Sequence, residues 1–188
     1  MNEQIEIEYK ILLTQNIYNQ ILTDYQDKIT KKYKQTNHYL IHPILSQKKY
    51  MLRIREKNNQ YELTLKRPIN NHRLETNIDI DKETVHKILN HQPVSNEIID
   101  ILKEEGINPL ELENQFSLTT LRHDIILEHG ILSLDENHYL DIIDYELEYE
   151  VNNEKEGFQH FLQIIEPYHL FYQYNCESKI KRVLSHLA

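Results

Sequence analysis

Glycine is scarce in this chain: among 188 residues only Gly106, Gly130 and Gly157 occur. A Walker A loop or a dinucleotide fingerprint needs clustered glycines, so that backbone amides can approach phosphate oxygens. Three scattered glycines build neither. Any phosphate this protein handles must therefore be held by side chains. Cysteine is scarcer still. Cys176 is alone, which excludes an internal disulfide framework and a cysteine-rich zinc site. No Cys/His/Asp arrangement around it marks a nucleophile. No apolar stretch approaches the roughly 18 residues of a membrane span. The opening MNEQIEIEYK has no apolar run fit for a secretory signal. A soluble, cytoplasmic protein is expected. Positive charge is in deficit, with 21 Lys and Arg against 30 Asp and Glu. A general nucleic-acid binder usually shows the reverse balance. What remains is 39% hydrophobic, enough for a core and against global disorder.

Alternation of apolar and polar residues dominates the pattern, as in half-buried strands. It predicts strands over 4–13, 36–42, 50–57, 61–68, 72–80 and 116–128. Two more are expected over 131–135 and 139–151, around the polar DENH. Turns are expected at NNQ (58–60) and EHG (128–130). Helical spacing predicts helices over 14–27, 82–90, 95–105, 154–165 and 177–187. Thr14, Asp81 and Ser95 are candidate N-caps, and Gly106 a helix end. About eight hairpin-connected strands, with helices inserted and appended, suggest a closed or nearly closed antiparallel barrel. No linker or repeat divides the chain, so one domain over 1–188 is expected.

The polar faces of these strands are sorted by sign. IEIEYK puts Glu6, Glu8 and Lys10 on one face. DYELEYEV puts Glu146, Glu148 and Glu150 on one face. LRIRE carries Arg53 and Arg55, YELTLK carries Glu62 and Lys66, and the strand near 118 carries Arg122. Lys179 and Arg182, three apart, share one side of the last helix. Like charges two apart on a strand lie roughly 6–7 Å from each other. On an enclosed face they need a counter-charge between them. A divalent cation suits paired carboxylates, and Mg²⁺ or Mn²⁺ prefers oxygen donors. A polyanion suits the Arg/Lys set, because guanidinium forks match phosphate oxygens. Together the two sets describe a site for a metal-bound polyphosphate. The eleven histidines are scattered. His38 and His42 are four apart but on a predicted strand, so a zinc reading finds no support. The tyrosines read as core and sheet residues.

These motifs, in this order and over nearly the whole chain, resemble the CYTH domain proteins, also called triphosphate tunnel metalloenzymes. The resemblance is to the branch found in low-GC Gram-positive bacteria. Its Glu-x-Glu-x-Lys signature stands as Glu6, Glu8 and Lys10, and its Arg-x-Arg pair as Arg53 and Arg55. ELTLK supplies Lys66, LET supplies Glu75, and TTLRHD supplies Arg122. LSLDENHYLDIIDYELEYE supplies Asp135, Glu146 and Glu148. ESKIKR supplies Lys179 and Arg182. The resemblance implies an α+β, β-rich fold: an eight-stranded antiparallel tunnel with helices outside. It implies Mg²⁺ or Mn²⁺ on Glu6, Glu8, Glu146 and Glu148. It implies phosphate contacts from Arg53, Arg55, Lys66, Arg122, Lys179 and Arg182, with Lys10, Glu75 and Asp135 as catalytic or orienting groups. A lysine general base would need a strongly lowered pKa, and acidic neighbours of Lys10 push the other way. The implied activity is metal-dependent hydrolysis of a small-molecule triphosphate or polyphosphate. An adenylyl cyclase or a non-catalytic sensor is the alternative. No membrane partner is implied, and nucleic acid only as an RNA 5′-triphosphate end. No interface signature sets an oligomeric state. One departure stands out. Many members carry Tyr-Phe-Asp where this chain has HYLIHP, so Tyr39 is kept and Ile41 replaces the acid.

Overall fold

A computed structural model describes residues 2–187. The fold is α+β and rich in antiparallel sheet. The strands are β1 (Asn2–Glu6), β2 (Glu8–Leu13), β3 (Lys31–Ile41), β4 (Met51–Lys57), β5 (Gln60–Ile69), β6 (His72–Ile80), β7 (Glu113–Leu127), β8 (Gly130–Tyr139) and β9 (Ile142–Val151). The helices are α1 (Gln15–Asp24), α2 (Pro43–Lys48), α3 (Lys82–Leu89), α4 (Glu97–Glu104), α5 (Glu154–Ile165) and α6 (Lys179–Leu187). The chain divides into two compact units. One holds the residues up to Glu6 with Gln35–Leu118; the other holds Ile7–Lys34 with the residues from Thr119 on.

In the first unit the strand order is β1-β6-β5-β4-β3-β7, where β3 and β7 contribute the parts that lie in this unit. One sheet face is apolar. Leu52, Ile54, Leu63, Leu65 and Ile78 pack against Val85 and Ile88 of α3 and Ile98, Ile99 and Leu102 of α4. Each such side chain, taken fully from water, stabilises by about 1.5–3 kcal/mol. Asp81 caps α3, its carboxylate accepting from the Thr84 amide at 2.7 Å. The cap of α4 is Asn96 rather than the expected Ser95, accepting from the Ile99 amide at 3.0 Å. Gly106 follows α4 at φ +78°, a left-handed conformation that suits glycine.

In the second unit the order is β3-β7-β8-β9-β2, again with the relevant parts of β3 and β7. Ile11, Leu13, Ile125, Leu132, Leu134, Leu147 and Tyr149 face Tyr18 and Ile21 of α1 and Phe161, Ile164 and Ile165 of α5. Thr14 caps α1 as its sequence position suggested, accepting from the Ile17 amide at 3.4 Å. In both units helices therefore cover one sheet face, and the opposite face carries the sorted charges.

Three expectations need correction. The single strand over 4–13 is two, broken at Ile7, with β1 paired to β6 and β2 to β9. This break makes the strand count nine rather than eight. The strands expected to stop either side of DENH do not: β8 runs through it, with Asp135↔Glu146 to His138↔Ile143 in register, and the chain reverses at Leu140–Asp141. Leu140 takes the positive φ of 48° that the reversal needs. Residues after Pro43, not expected to be helical, form α2, where His42 Nδ1 accepts from the Ile44 amide and proline occupies the first turn.

Candidate active site

Register alone sets the charged face of the second unit. Arg122 lies opposite Asp135, and Asp135 opposite Glu146. Lys10 lies opposite Glu148. Residues directly opposite in an antiparallel pair project to the same side. The face therefore gathers Lys10, Arg122, Asp135, Glu146 and Glu148, while α6 adds Lys179 and Arg182.

These groups neutralise one another. Arg122 holds Asp135 through a fork, Nε to Oδ1 at 2.7 Å and Nη2 to Oδ2 at 2.6 Å, and also donates to Glu148. Lys179 Nζ donates to Glu148 Oε1 at 2.6 Å and lies 2.9 Å from Asp135 Oδ2. Arg182 donates to Glu146 and to Asp144, and Lys10 donates to Glu8. Asp135 and Glu146 are fully buried.

Two carboxylates two residues apart in such a place cannot both ionise cheaply. Burial pushes Glu146 up to about 7, with Lys179 opposing and the charge of Glu148 adding to the rise. For Glu148 burial also raises, but Lys179, Arg122 and Lys10 outweigh it and hold the carboxyl well below its usual range. Lys10 is raised: burial lowers it, and Glu8, Glu148 and Glu146 more than reverse that. That direction argues against Lys10 as a general base. Lys179 and Arg122 are raised likewise, burial being outweighed by Asp135 first in each case.

The first unit carries a second charged face. Lys66 lies opposite Glu75, Arg53 opposite Thr64, and Arg55 opposite Glu62. Lys66 Nζ bridges two acids, at 2.7 Å from Glu6 Oε1 and 2.6 Å from Glu75 Oε2. Asn77 donates to the other Glu75 oxygen at 2.7 Å. Burial raises Glu75, yet Lys66 and Arg53 bring it down to about 2. Arg55 Nε donates to Asn37 Oδ1 at 3.1 Å. Arg53 is buried, and its Nε has no hydrogen-bond partner. A buried guanidinium with an unused donor is suited to accept an oxyanion. Tyr39 is buried beside Phe116, their rings 5.4 Å apart, and Ile41 is the last, half-buried residue of β3.

The expected site residues thus fall into two groups. Glu6, Arg53, Arg55, Lys66 and Glu75 belong to the first unit, and Glu8, Lys10, Arg122, Asp135, Glu146, Glu148, Lys179 and Arg182 to the second. Sequence reasoning missed Asp144. It accepts from Arg182 at 2.9 and 3.2 Å, from Tyr139 OH at 2.7 Å and from Asn137 at 2.9 Å. The signal was present, since Asp144 continues the alternation of Glu146, Glu148 and Glu150 by one step. The half-buried Cys176 thiol is pushed up to about 12 by burial and then by Glu146, which disfavours the thiolate.

Among the described residues no three His, Cys, Asp or Glu side chains are grouped to hold a metal ion. The donor chemistry nevertheless fits Mg²⁺ or Mn²⁺, being carboxylate oxygen throughout. Glu146 Oε1 is buried without a hydrogen-bond partner, and Lys179 Nζ stands 3.4 Å from it. A buried oxygen that accepts no hydrogen bond is suited to a cation.

The fold is β-rich α+β, and one sheet face of each unit interlocks carboxylates with Arg and Lys. The chain belongs to the CYTH domain family, which it matches over residues 4–183. A relative from Bacillus subtilis strain 168, named "Putative triphosphatase YjbK", is 33% identical over 172 residues, 89% of this chain and 88% of that protein. A crystal structure from Bacillus halodurans, described as a "putative adenylate cyclase", is 32% identical with TM-score 0.88, covering 97% of this chain and 98% of that one. A structure from Hippeastrum, described as a "putative adenylyl cyclase" that reveals a dominant triphosphatase activity, shares the fold at 21% identity and TM-score 0.78. It covers 96% of each chain. No helix among the described residues is long and apolar enough to cross a membrane.

Proposed function

We propose that this protein is a divalent-metal-dependent triphosphatase acting on a small-molecule triphosphate, inorganic or organic, with the whole chain as one CYTH domain. The observation that carries the reading is the interlocking of half-buried Arg122 and Lys179 and buried Arg182 with buried Asp135 and Glu146 and half-buried Glu148. Burying so many charges has no net benefit for folding alone, since desolvation offsets the attraction. A site for a highly charged ligand accounts for that expense. The triphosphatase named among its relatives points the same way.

In this reading Arg122 and Lys179 grip phosphate oxygens, and Asp135 orients both. Arg53, Arg55 and Lys66 do the same on the first unit, with Glu75 orienting Lys66. On the second unit Glu8, Glu146 and Glu148 would hold Mg²⁺ or Mn²⁺, while Glu6 pairs with Lys66 on the first. The bound ion would neutralise phosphate charge and favour attack by water. Lys10, kept protonated by its acidic neighbours, stabilises negative charge and takes no proton. Hydrolysis joins a water oxygen to the terminal phosphorus and breaks its phosphoanhydride bond, so the leaving group departs one phosphate shorter.

The cyclase reading rests on the description of the Bacillus halodurans structure. Product analysis separates the possibilities. Inorganic triphosphate, ATP and thiamine triphosphate are incubated with Mg²⁺ or Mn²⁺. Phosphate release supports the triphosphatase. Pyrophosphate with a cyclic nucleotide from ATP supports the cyclase, and tight binding without release supports a sensor.

A further inference from the structure

The last helix reaches the charged face through a clamp that lies one step beyond the Glu146 row. Asp144 precedes Glu146 by two on β9. Its two oxygens receive the Arg182 guanidinium as a fork, Nε to Oδ2 at 2.9 Å and Nη2 to Oδ1 at 3.2 Å. The carboxylate is in turn fixed from β8. Asn137 Nδ2 donates to Oδ1 at 2.9 Å and Tyr139 OH donates to Oδ2 at 2.7 Å. Asn137 is fully buried and is itself held by the Thr120 hydroxyl at 2.7 Å. The remaining Arg182 nitrogen, Nη1, donates to the Glu177 carbonyl at 2.6 Å, just before α6 begins. The guanidinium therefore ties the start of α6 to Asp144 and Glu146 of β9, and through Asp144 to β8.

Lys179 sits one turn before Arg182 on the same side of α6. Its ammonium must reach Glu148 and Asp135, at 2.6 and 2.9 Å. Val183 is fully buried and holds the helix down. Apolar contact is non-directional, however, and does not fix rotation about the helix axis. A planar fork received by a carboxylate does. We propose that Asp144 is a positioning residue. Through Arg182 it sets the rotation of α6, and so places the Lys179 ammonium on the face that grips phosphate. The proposal rests on the triphosphatase reading for its kinetic consequence, while the clamp itself is independent of any substrate.

The test uses Asp144→Asn, which keeps shape and one acceptor but loses the charge-assisted fork. Hydrogen–deuterium exchange should rise across 179–187 in the full chain without ligand, with the strands unchanged. For inorganic triphosphate, KM should rise about tenfold, the usual scale for a lost hydrogen bond to a charged group, while kcat changes less than about twofold. In a Lys179→Met background the same substitution should leave KM unchanged, because Asp144 acts through Lys179. Unaltered protection of α6, or an undiminished KM effect in the Lys179→Met background, would overturn the proposal. Tyr139→Phe, which removes one hydrogen bond to Asp144, should loosen α6 less but in the same direction. This second variant decides the matter if Asp144→Asn does not fold. Wild-type protein that turns over no triphosphate would contradict the triphosphatase reading, and the exchange measurement would still decide the clamp.

Discussion

Replacing Asp135 by asparagine should weaken the fold and at the same time strengthen the hold on a metal-free polyanion. Asp135 is fully buried, between Arg122 at 2.6–2.7 Å and Lys179 at 2.9 Å. Asparagine keeps the shape and removes the charge. Breaking one partner of a buried pair costs about 3–5 kcal/mol. Glu148 still faces both cations, so the lower end, about 3 kcal/mol, is expected. For a chain of this length about 1 kcal/mol moves Tm by roughly 2–4 °C, giving a drop of roughly 6–12 °C. Arg122 and Lys179 then share one fewer counter-charge. Inorganic triphosphate should supply it, raising Tm more in the variant than in the wild type by mass action. Thermal unfolding with and without inorganic triphosphate, in chelator, reads both effects. An unchanged Tm would refute the reasoning, as would a lowered Tm that triphosphate restores no better than it stabilises the wild type.

Glu75→Gln should cost stability in a pH-dependent way. The folded carboxyl lies at about 2 against an ordinary 4.5, worth about 3 kcal/mol at neutral pH. A depressed folded pKa stabilises above the ordinary value and loses that effect as pH falls toward 2. Urea midpoints of wild type and variant should therefore differ at pH 7 and converge near pH 2–3; a constant gap would contradict the assignment. Gly130→Ala should be poorly tolerated, since a Cβ there would meet the Glu150 carbonyl oxygen at 2.0 Å and Val151 Cα at 2.9 Å. Backbone cannot yield as a side chain does, so a loss of about 3 kcal/mol is expected in denaturant unfolding. Arg53→Ala should raise KM for triphosphate about tenfold with a smaller change in kcat, read from steady-state phosphate release.

The alternation of DYELEYEV is enough to place Glu146 and Glu148 on one face, because a two-residue period is a local property of the chain. Lys179 and Arg182 are likewise legible from their helical spacing. What is not legible depends on partners far away in sequence. Ile7 looks like any alternating residue, and only the separate pairing of β1 and β2 reveals the break. DENH reads as a polar interruption between two strands. It is held extended because Asp135 and Asn137 find partners in Arg122, Thr120 and Asp144. Those contacts override the local preference of Asp and Asn. Ser95 and Asn96 are both good caps, and sequence does not rank them. The position of Asp144 is legible in the alternation, but its role is not, because that lies in a contact with Arg182, 38 residues later.

The interlocking of the carboxylates also changes the meaning of the metal set. Glu8 holds Lys10, Glu148 holds Lys179 and Arg122, and Glu146 holds Arg182. In the proposed reaction a divalent cation and a phosphate group would enter as replacements for one another's partners. Metal and substrate should accordingly bind with positive coupling.

The most direct measurement is phosphate release from inorganic triphosphate by the wild-type protein, Glu148→Gln and Arg122→Ala, each with Mg²⁺ or Mn²⁺ and again with excess chelator. The account predicts metal-dependent release by the wild type, its loss on chelation, and a fall of about a hundredfold or more in kcat/KM for both variants, on the scale of one lost charge contact to the transition state. Release at wild-type rates by both variants, or release that persists in chelator, would contradict it.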